Sequence, residues 1–200
     1  MNGAAGFGRV EKIEALLRDN PAIDVNWKAP DGWTPLHSAS QNGHSKGVKL
    51  LLAHPAINVN MRANSQETPF MFGCVSGRVS IVQLLLRDPR VDITLGDELG
   101  CTPLWFASCL GRCEVIEWLI ASGRDLGDLN KKVEFLGDND YSAFEIARSQ
   151  GKTEAASLVG RLMANPTQTR YEVRVKLGWW MSWLQTYPWE KKLVSQSKIS

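Results

Sequence analysis

Three landmarks recur at one spacing in this chain, and that repetition restricts the fold more than any other feature. Thr34-Pro35, Thr68-Pro69 and Thr102-Pro103 follow one another at intervals of 34 residues. Gly43, Gly77 and Gly111 keep the same interval, as do Leu51, Leu85 and Leu119. A fixed period of this length means that one supersecondary unit is copied and stacked, because a single such unit cannot bury its own apolar face. Each landmark has a local role. A threonine hydroxyl caps a helix start, and proline at the first helical position lacks only an N–H that would be unbonded anyway. Glycine then ends that short helix with positive φ. A second helix follows, whose stripe (Val48, Leu51, Leu52; Val82, Leu85, Leu86; Ile116, Leu119, Ile120) has helical spacing and is expected to bury between neighbouring units.

The segments DGWTPLHSASQNGH (Asp31–His44) and DELGCTPLWFASCLG (Asp97–Gly111) resemble the ankyrin repeat, whose core reads D-x-x-G-x-T-P-L-H-x-A-A-x-x-G-H. Tetratricopeptide repeats share a period near ~34 residues but not this motif. The ankyrin period is about 33 residues. The extra residue here falls after the second helix, in His54–Asn58 and Asp88–Asp92, whereas Ser122–Asp125 has the family's usual turn length. The resemblance implies a mostly α solenoid of helix-turn-helix units with short β-hairpin fingers. About five repeats are expected over residues 1–164. Repeat one is truncated: Gly8 aligns with Gly43 and Met1 with Leu36, so its Thr-Pro pair would precede the chain. Its helices are expected at Met1–Phe7, uncapped, and Arg9–Arg18, with fraying of Met1–Arg18. Repeat five is degenerate, with Ser142-Ala143-Phe144-Glu145 for TPLH and Gly151 for the closing glycine. It begins 40 residues after repeat four, so six residues are added in Leu126–Tyr141, where an enlarged finger or loop is expected. Phe70-Met71-Phe72-Gly73 in repeat three and Trp105 in repeat four depart from the motif.

Residues 165–200 do not repeat and form a separate C-terminal tail. Tyr171–Leu177 alternates apolar and polar residues, a strand pattern. Gly178–Trp189 holds four of the chain's eight tryptophans, and on a helix Leu177, Trp180, Met181 and Leu184 would share one face. One reading is a cap over the last open face of the solenoid. The alternative is a peripheral membrane anchor, since tryptophan favours the wet edge of an apolar phase.

Composition narrows the chemistry. The net charge is +2, with six basic and two acidic residues in 165–200 against 17 and 19 in the rest. No general nucleic-acid binder is expected, although Arg170, Arg174, Lys176, Lys191 and Lys192 make the tail basic. No secretory leader pattern and no long apolar run occur, so a cytoplasmic location is expected. Cys74, Cys101, Cys109 and Cys113 form no C-x-x-C pair and are read as reduced, non-ligating thiols, so no metal is expected. No phosphate-binding glycine loop is present, and no cofactor is expected. His37 and His44 belong to the repeat motif and His54 to a turn, so a catalytic histidine is not expected. The carboxylates Asp128, Glu134, Asp138 and Asp140 read as a solvated acidic loop rather than an enzyme site.

The resemblance implies a non-catalytic scaffold that binds a protein partner through finger tips and the exposed side of the first helices. Carried onto this chain, the finger positions are Trp27, Lys28, Asp31 and Trp33; Arg62, Asn64, Ser65 and Glu67; and Glu98, Leu99 and Cys101. The groove-facing helix positions are Gln41, Asn42, Val75, Ser76, Cys109 and Leu110. Trp33 is either a binding anchor or a ring packed against Trp27 between fingers. The charges are mixed, so the sign of the partner stays open at this point.

Overall fold

The computed structural model describes residues 1–135, 137 and 139–178. Five helix pairs follow one another: α1 (Asn2–Gly6) with α2 (Val10–Asp19), α3 (Pro35–Asn42) with α4 (Ser45–Leu52), and α5 (Pro69–Val75) with α6 (Val79–Leu86). Then come α7 (Pro103–Cys109) with α8 (Cys113–Ser122), the strands β1 (Val133–Phe135) and β2 (Asn139–Tyr141), α9 (Ala143–Ser149) with α10 (Thr153–Ala164), and finally α11 (Pro166–Lys176). The first helix of each pair packs on the first helix of the next, from α1 to α9. The second helices, α2 to α10, stack likewise into a second layer. The core lies between the layers and between successive pairs.

The caps form where the sequence places them. Thr68 Oγ1 accepts from the Met71 amide at 3.2 Å, and Thr102 Oγ1 from the Trp105 amide at 3.2 Å. Ser142 and Glu145 close a reciprocal box, with Ser142 N–H on Glu145 Oε2 at 2.9 Å and Glu145 N–H on Ser142 Oγ at 3.3 Å. No side-chain cap starts α1, as the register predicts. At the far end, Gly43, Gly77 and Gly111 have φ of 80°, 63° and 65°. Gly8 and Gly151, at the same repeat position in the two irregular units, have φ of 63° and 66°, which fixes the register of repeats one and five.

Most of the expected stripe is buried, with Leu52 and Leu86 only half-buried. Val48, Leu51, Val82, Leu85, Ile116 and Ile120 have no exposed surface, and Leu119 is 1% exposed. Each such side chain contributes about 1.5–3 kcal/mol by leaving water. Polar ladders tie the turns beside this core. Asn26 Nδ2 donates to the Ala56 carbonyl at 2.7 Å while its Oδ1 accepts from the Asn58 amide at 2.8 Å. One repeat later Asn60 does the same with the Arg90 carbonyl and the Asp92 amide, both at 2.8 Å.

Leu126–Tyr141 forms an enlarged finger: β1 and β2 pair antiparallel with Val133 opposite Tyr141, Glu134 opposite Asp140 and Phe135 opposite Asn139. The tail corrects one expectation. Tyr171–Leu177 is not a strand, because Tyr171–Lys176 completes helix α11. Asn165 caps that helix by accepting from the Gln168 amide at 3.1 Å, and Pro166 occupies its first turn. Val173 and Thr169 are buried against α8 and α10, and Arg174 Nε donates to the Ala121 carbonyl at 2.8 Å. Lys176 pairs with the carboxylate of Glu117, which is only 4% exposed. Alternation of apolar and polar residues over a short stretch does not separate a strand from a helix when a cap and an open solenoid face favour the helix. The Trp-rich reading of Gly178–Trp189 falls, from Trp179 onward, outside the described residues.

Candidate protein-binding surface

Each finger is a tight turn whose third residue has positive φ. Gly32 (81°) and Gly100 (87°) satisfy this freely, and Gln66 (67°) does so with a side chain. The finger bases close through Ala29 N–H on Trp33 O at 2.9 Å, Ala63 N–H on Glu67 O at 2.9 Å and Asp97 N–H on Cys101 O at 3.1 Å. Neighbouring fingers are joined edge to edge. The Asn64 amide donates to the Asp31 carbonyl at 3.2 Å, Asn64 Nδ2 to Pro30 O at 2.9 Å, and the Glu98 amide to Ser65 O at 3.2 Å. Lys28 Nζ donates to the Arg62 carbonyl at 2.8 Å and Arg62 Nη1 to Gln66 Oε1 at 3.2 Å. Lys28 thus reaches the neighbouring finger and Arg62 stays on its own, while the side chains of Glu67 and Glu98 enter no ion pair among the described residues.

In repeats two and four a part-buried side-chain hydrogen bond links the first helix to the next finger, at a position where repeat three has Met71. His37 is fully buried; its Nδ1 accepts from the Thr34 amide at 3.0 Å and its Nε2 donates to the Glu67 carbonyl at 3.2 Å. These fixed partners select the neutral tautomer, and burial pushes the His37 pKa down to about 4. Trp105 stands in the same place in repeat four, and its Nε1 donates to the Tyr141 carbonyl at 2.9 Å. Tyr141 precedes Ser142 as Glu67 precedes Thr68, so tryptophan keeps the histidine's donor role across the longer finger. In repeat five Glu145 takes this position, and Lys132 at 2.8 Å lowers its pKa to about 2 with help from the Ser142 amide.

Most of the expected partner-binding residues reach the surface. Trp27 (53% exposed) and Leu99 (58%) are large apolar side chains in water on the finger side. Lys28, Asp31, Asn42, Asn64, Ser65, Glu98 and Leu110 are exposed, and Gln41, Arg62, Glu67, Val75, Ser76 and Cys109 are half-buried. Trp33 is half-buried and does not pack on Trp27; its ring meets Phe72 of the next repeat at 4.4 Å. Cys101 is a correction. It is 1% exposed, because its side chain points under the finger while its amide is held by Asp97 Oδ1 at 2.8 Å, so it offers no surface to a partner. Of the loop carboxylates, Asp128, Glu134 and Asp140 are exposed and Asp138 lies outside the described residues. Among the described residues no three His, Cys, Asp or Glu side chains converge on a point that would hold a metal. Burial raises the thiol pKa values of Cys74 and, to about 12, Cys101, which makes both poor nucleophiles. No helix among the described residues is long and apolar enough to cross a membrane.

Sequence reasoning placed His44 in the motif but missed that Arg9, Arg78, Arg112 and Lys152 occupy the same position in the other repeats. Immediately after each helix-ending glycine comes Arg9, His44, Arg78, Arg112 or Lys152. Three of these side chains reach back to the preceding repeat: His44 Nε2 lies 2.9 Å from Gly6 O, while Arg78 Nε donates to Gln41 O at 3.0 Å and Arg112 Nε to Val75 O at 3.1 Å. Each side chain here meets a carbonyl that the helix end leaves unbonded, and Arg78 and Arg112 also bring it a positive charge. Arg78 also lies over Gly43, and Arg112 over Gly77, close enough that a Cβ there would meet the arginine Cδ at 3.1 and 3.2 Å. The signal was the basic residue following glycine in every unit.

Paired antiparallel helices that stack in two layers, with turn-built fingers projecting from one edge, define a solenoid repeat protein. A family model described as ankyrin repeats (3 copies) matches residues 1–97 and again 57–132, and the chain belongs to the ankyrin-repeat family. No curated protein matches the chain. Ankyrin repeats are generally protein–protein interaction modules and typically non-enzymatic.

Proposed function

We propose that this protein is a non-catalytic interaction module that binds a partner protein through the groove formed by its fingers and first helices. The observation that carries this reading is the placement of Leu99 and Leu110. Both are large apolar side chains, 58% and 39% exposed, one on the finger and one at the helix end of the same repeat. Exposed apolar side chains on a rigid concave frame are where binding energy concentrates. Trp33 is half-buried with its ring against Phe72.

The test uses displayed protein fragments selected on the full chain. The double variant Glu98→Arg plus Leu99→Asp changes only exposed groups and is expected to keep the melting temperature. It is also expected to weaken selected binders by about tenfold or more. Binders indifferent to this variant and to Leu110→Asp would show that the groove is not the functional surface.

A further inference from the structure

The groove is not chemically uniform across its width, and its order of charges specifies what fits. The finger edge is mixed in charge: Asp31, Glu67 and Glu98 stand there with Lys28, which donates to the Arg62 carbonyl of the next finger, and with Arg62, which bonds Gln66 of its own finger. Along the opposite edge stand Arg78, Arg112 and Lys152, each one residue past a helix-ending glycine. Lys152 lies over Gly111 as Arg112 lies over Gly77. The acids nearest to this row in sequence, Glu114 and Glu154, belong to the outer-layer helices α8 and α10, and Glu154 faces Cys113 and Lys176 there.

Between the two edges the floor changes along the solenoid. In repeat two the groove-facing positions are Gln41 and Asn42, both polar. In repeats three and four the floor is mainly apolar, with Phe72, Val75, Phe106 and Cys109 half-buried and Leu110 exposed, and the half-buried Ser76 is its one polar groove-facing position. Water remains against this strip, and covering it releases that water. An apolar floor beside a uniformly basic edge favours a segment with acid on that flank and repels one that carries only base there.

We infer that the partner presents an amphipathic segment with an apolar stripe seated on repeats three and four and carboxylates along the flank that faces Arg78, Arg112 and Lys152. This inference rests on the groove being the binding surface. A segment whose only flanking charges are lysine or arginine on that side meets like charge and is rejected.

Random peptides of about 16 residues, roughly the length that a helix needs to cross two repeats, are selected on the full chain. The enriched peptides are expected to carry Leu, Ile, Phe or Met at helical spacing with Asp or Glu beside them. A synthetic copy of the most enriched peptide, labelled with fluorescein, is then titrated by anisotropy. Leu110→Asp is expected to weaken it about tenfold, and Lys152→Glu about threefold to tenfold, with the melting temperature kept. Changing its acids to lysine is expected to weaken it on the native chain and to restore part of the affinity on Lys152→Glu. Enrichment of basic or purely polar peptides overturns the inference, as does no enrichment or indifference to Leu110→Asp. If protein fragments from the groove selection respond to Glu98→Arg plus Leu99→Asp while these peptides fail, the groove reading stands and this partner assignment falls. If neither selection responds to any groove variant, both fall together.

Discussion

Acidification is expected to unfold this solenoid partly through one side chain, His37. In the folded chain its Nδ1 already receives the Thr34 amide and its Nε2 already donates to Glu67 O, and no exposed surface lets water solvate a charge. Adding a proton to Nδ1 sets two N–H groups against each other in a buried site. Its pKa is accordingly about 4 in the folded state, against an ordinary value of 6.5. Below pH 6.5 the unfolded chain takes up this proton and the folded chain does not. The stability that His37 contributes is therefore fully present above that value and is lost as pH falls toward the folded-state pKa. Between about pH 7.5 and about pH 4.5 the loss from this group alone is on the order of 2–3 kcal/mol. Carboxylates elsewhere also titrate, so the assay compares the wild type with His37→Gln. Glutamine three residues past a threonine cap completes a capping box and does not titrate. Urea melts of both proteins at the two pH values give the difference of differences. The wild type is expected to lose about 2–3 kcal/mol more than the variant. Equal losses, or a native His37 imidazole that titrates near 6.5 by NMR, would falsify this account of the cap.

Gln66→Gly is expected to raise stability by up to about 1 kcal/mol, because it relieves a side chain held at a φ of 67°. Gly32→Ala in the equivalent turn is expected to destabilise the chain in the same thermal melts, since its Cβ would sit 2.5 Å from the Asn64 amide nitrogen. Thr102→Ala removes the cap on the Trp105 amide and is expected to cost about 1 kcal/mol in chemical denaturation. In native labelling with an aromatic disulfide reagent, Cys109 and Cys113 are expected to react, while Cys74 and Cys101 react only on unfolding; early modification of Cys101 would show that the finger opens. Amide exchange is expected to be faster in α1 and α2 than in α5 and α6, and equal protection would mean that His44 and Asn2 anchor repeat one as firmly as a preceding repeat would.

The repeat unit was legible because its parts are local. A threonine cap, a proline at the first helical position and a positive-φ glycine each act within a few residues, so period and motif placed α3 to α8 and even the irregular repeats one and five. The site was legible only as positions. The sequence marks Trp33 as variable, but the ring's fate depends on Phe72, 39 residues away, which meets it at 4.4 Å. Cys101 looks like any finger residue until the turn directs it inward. Trp105 looks like a lost histidine until Tyr141 O is found at the end of its indole N–H. Tyr171–Leu177 alternates like a strand, and the open end of the solenoid, with Ala121 O and the buried Glu117 waiting, makes it a helix. The basic edge of the groove becomes visible only when Arg78 and Arg112 fold back over the glycines of the preceding repeats. Local conformational preference is written residue by residue in the chain. Which face a side chain shows is decided by a neighbour one repeat away, and only stacking brings that neighbour near.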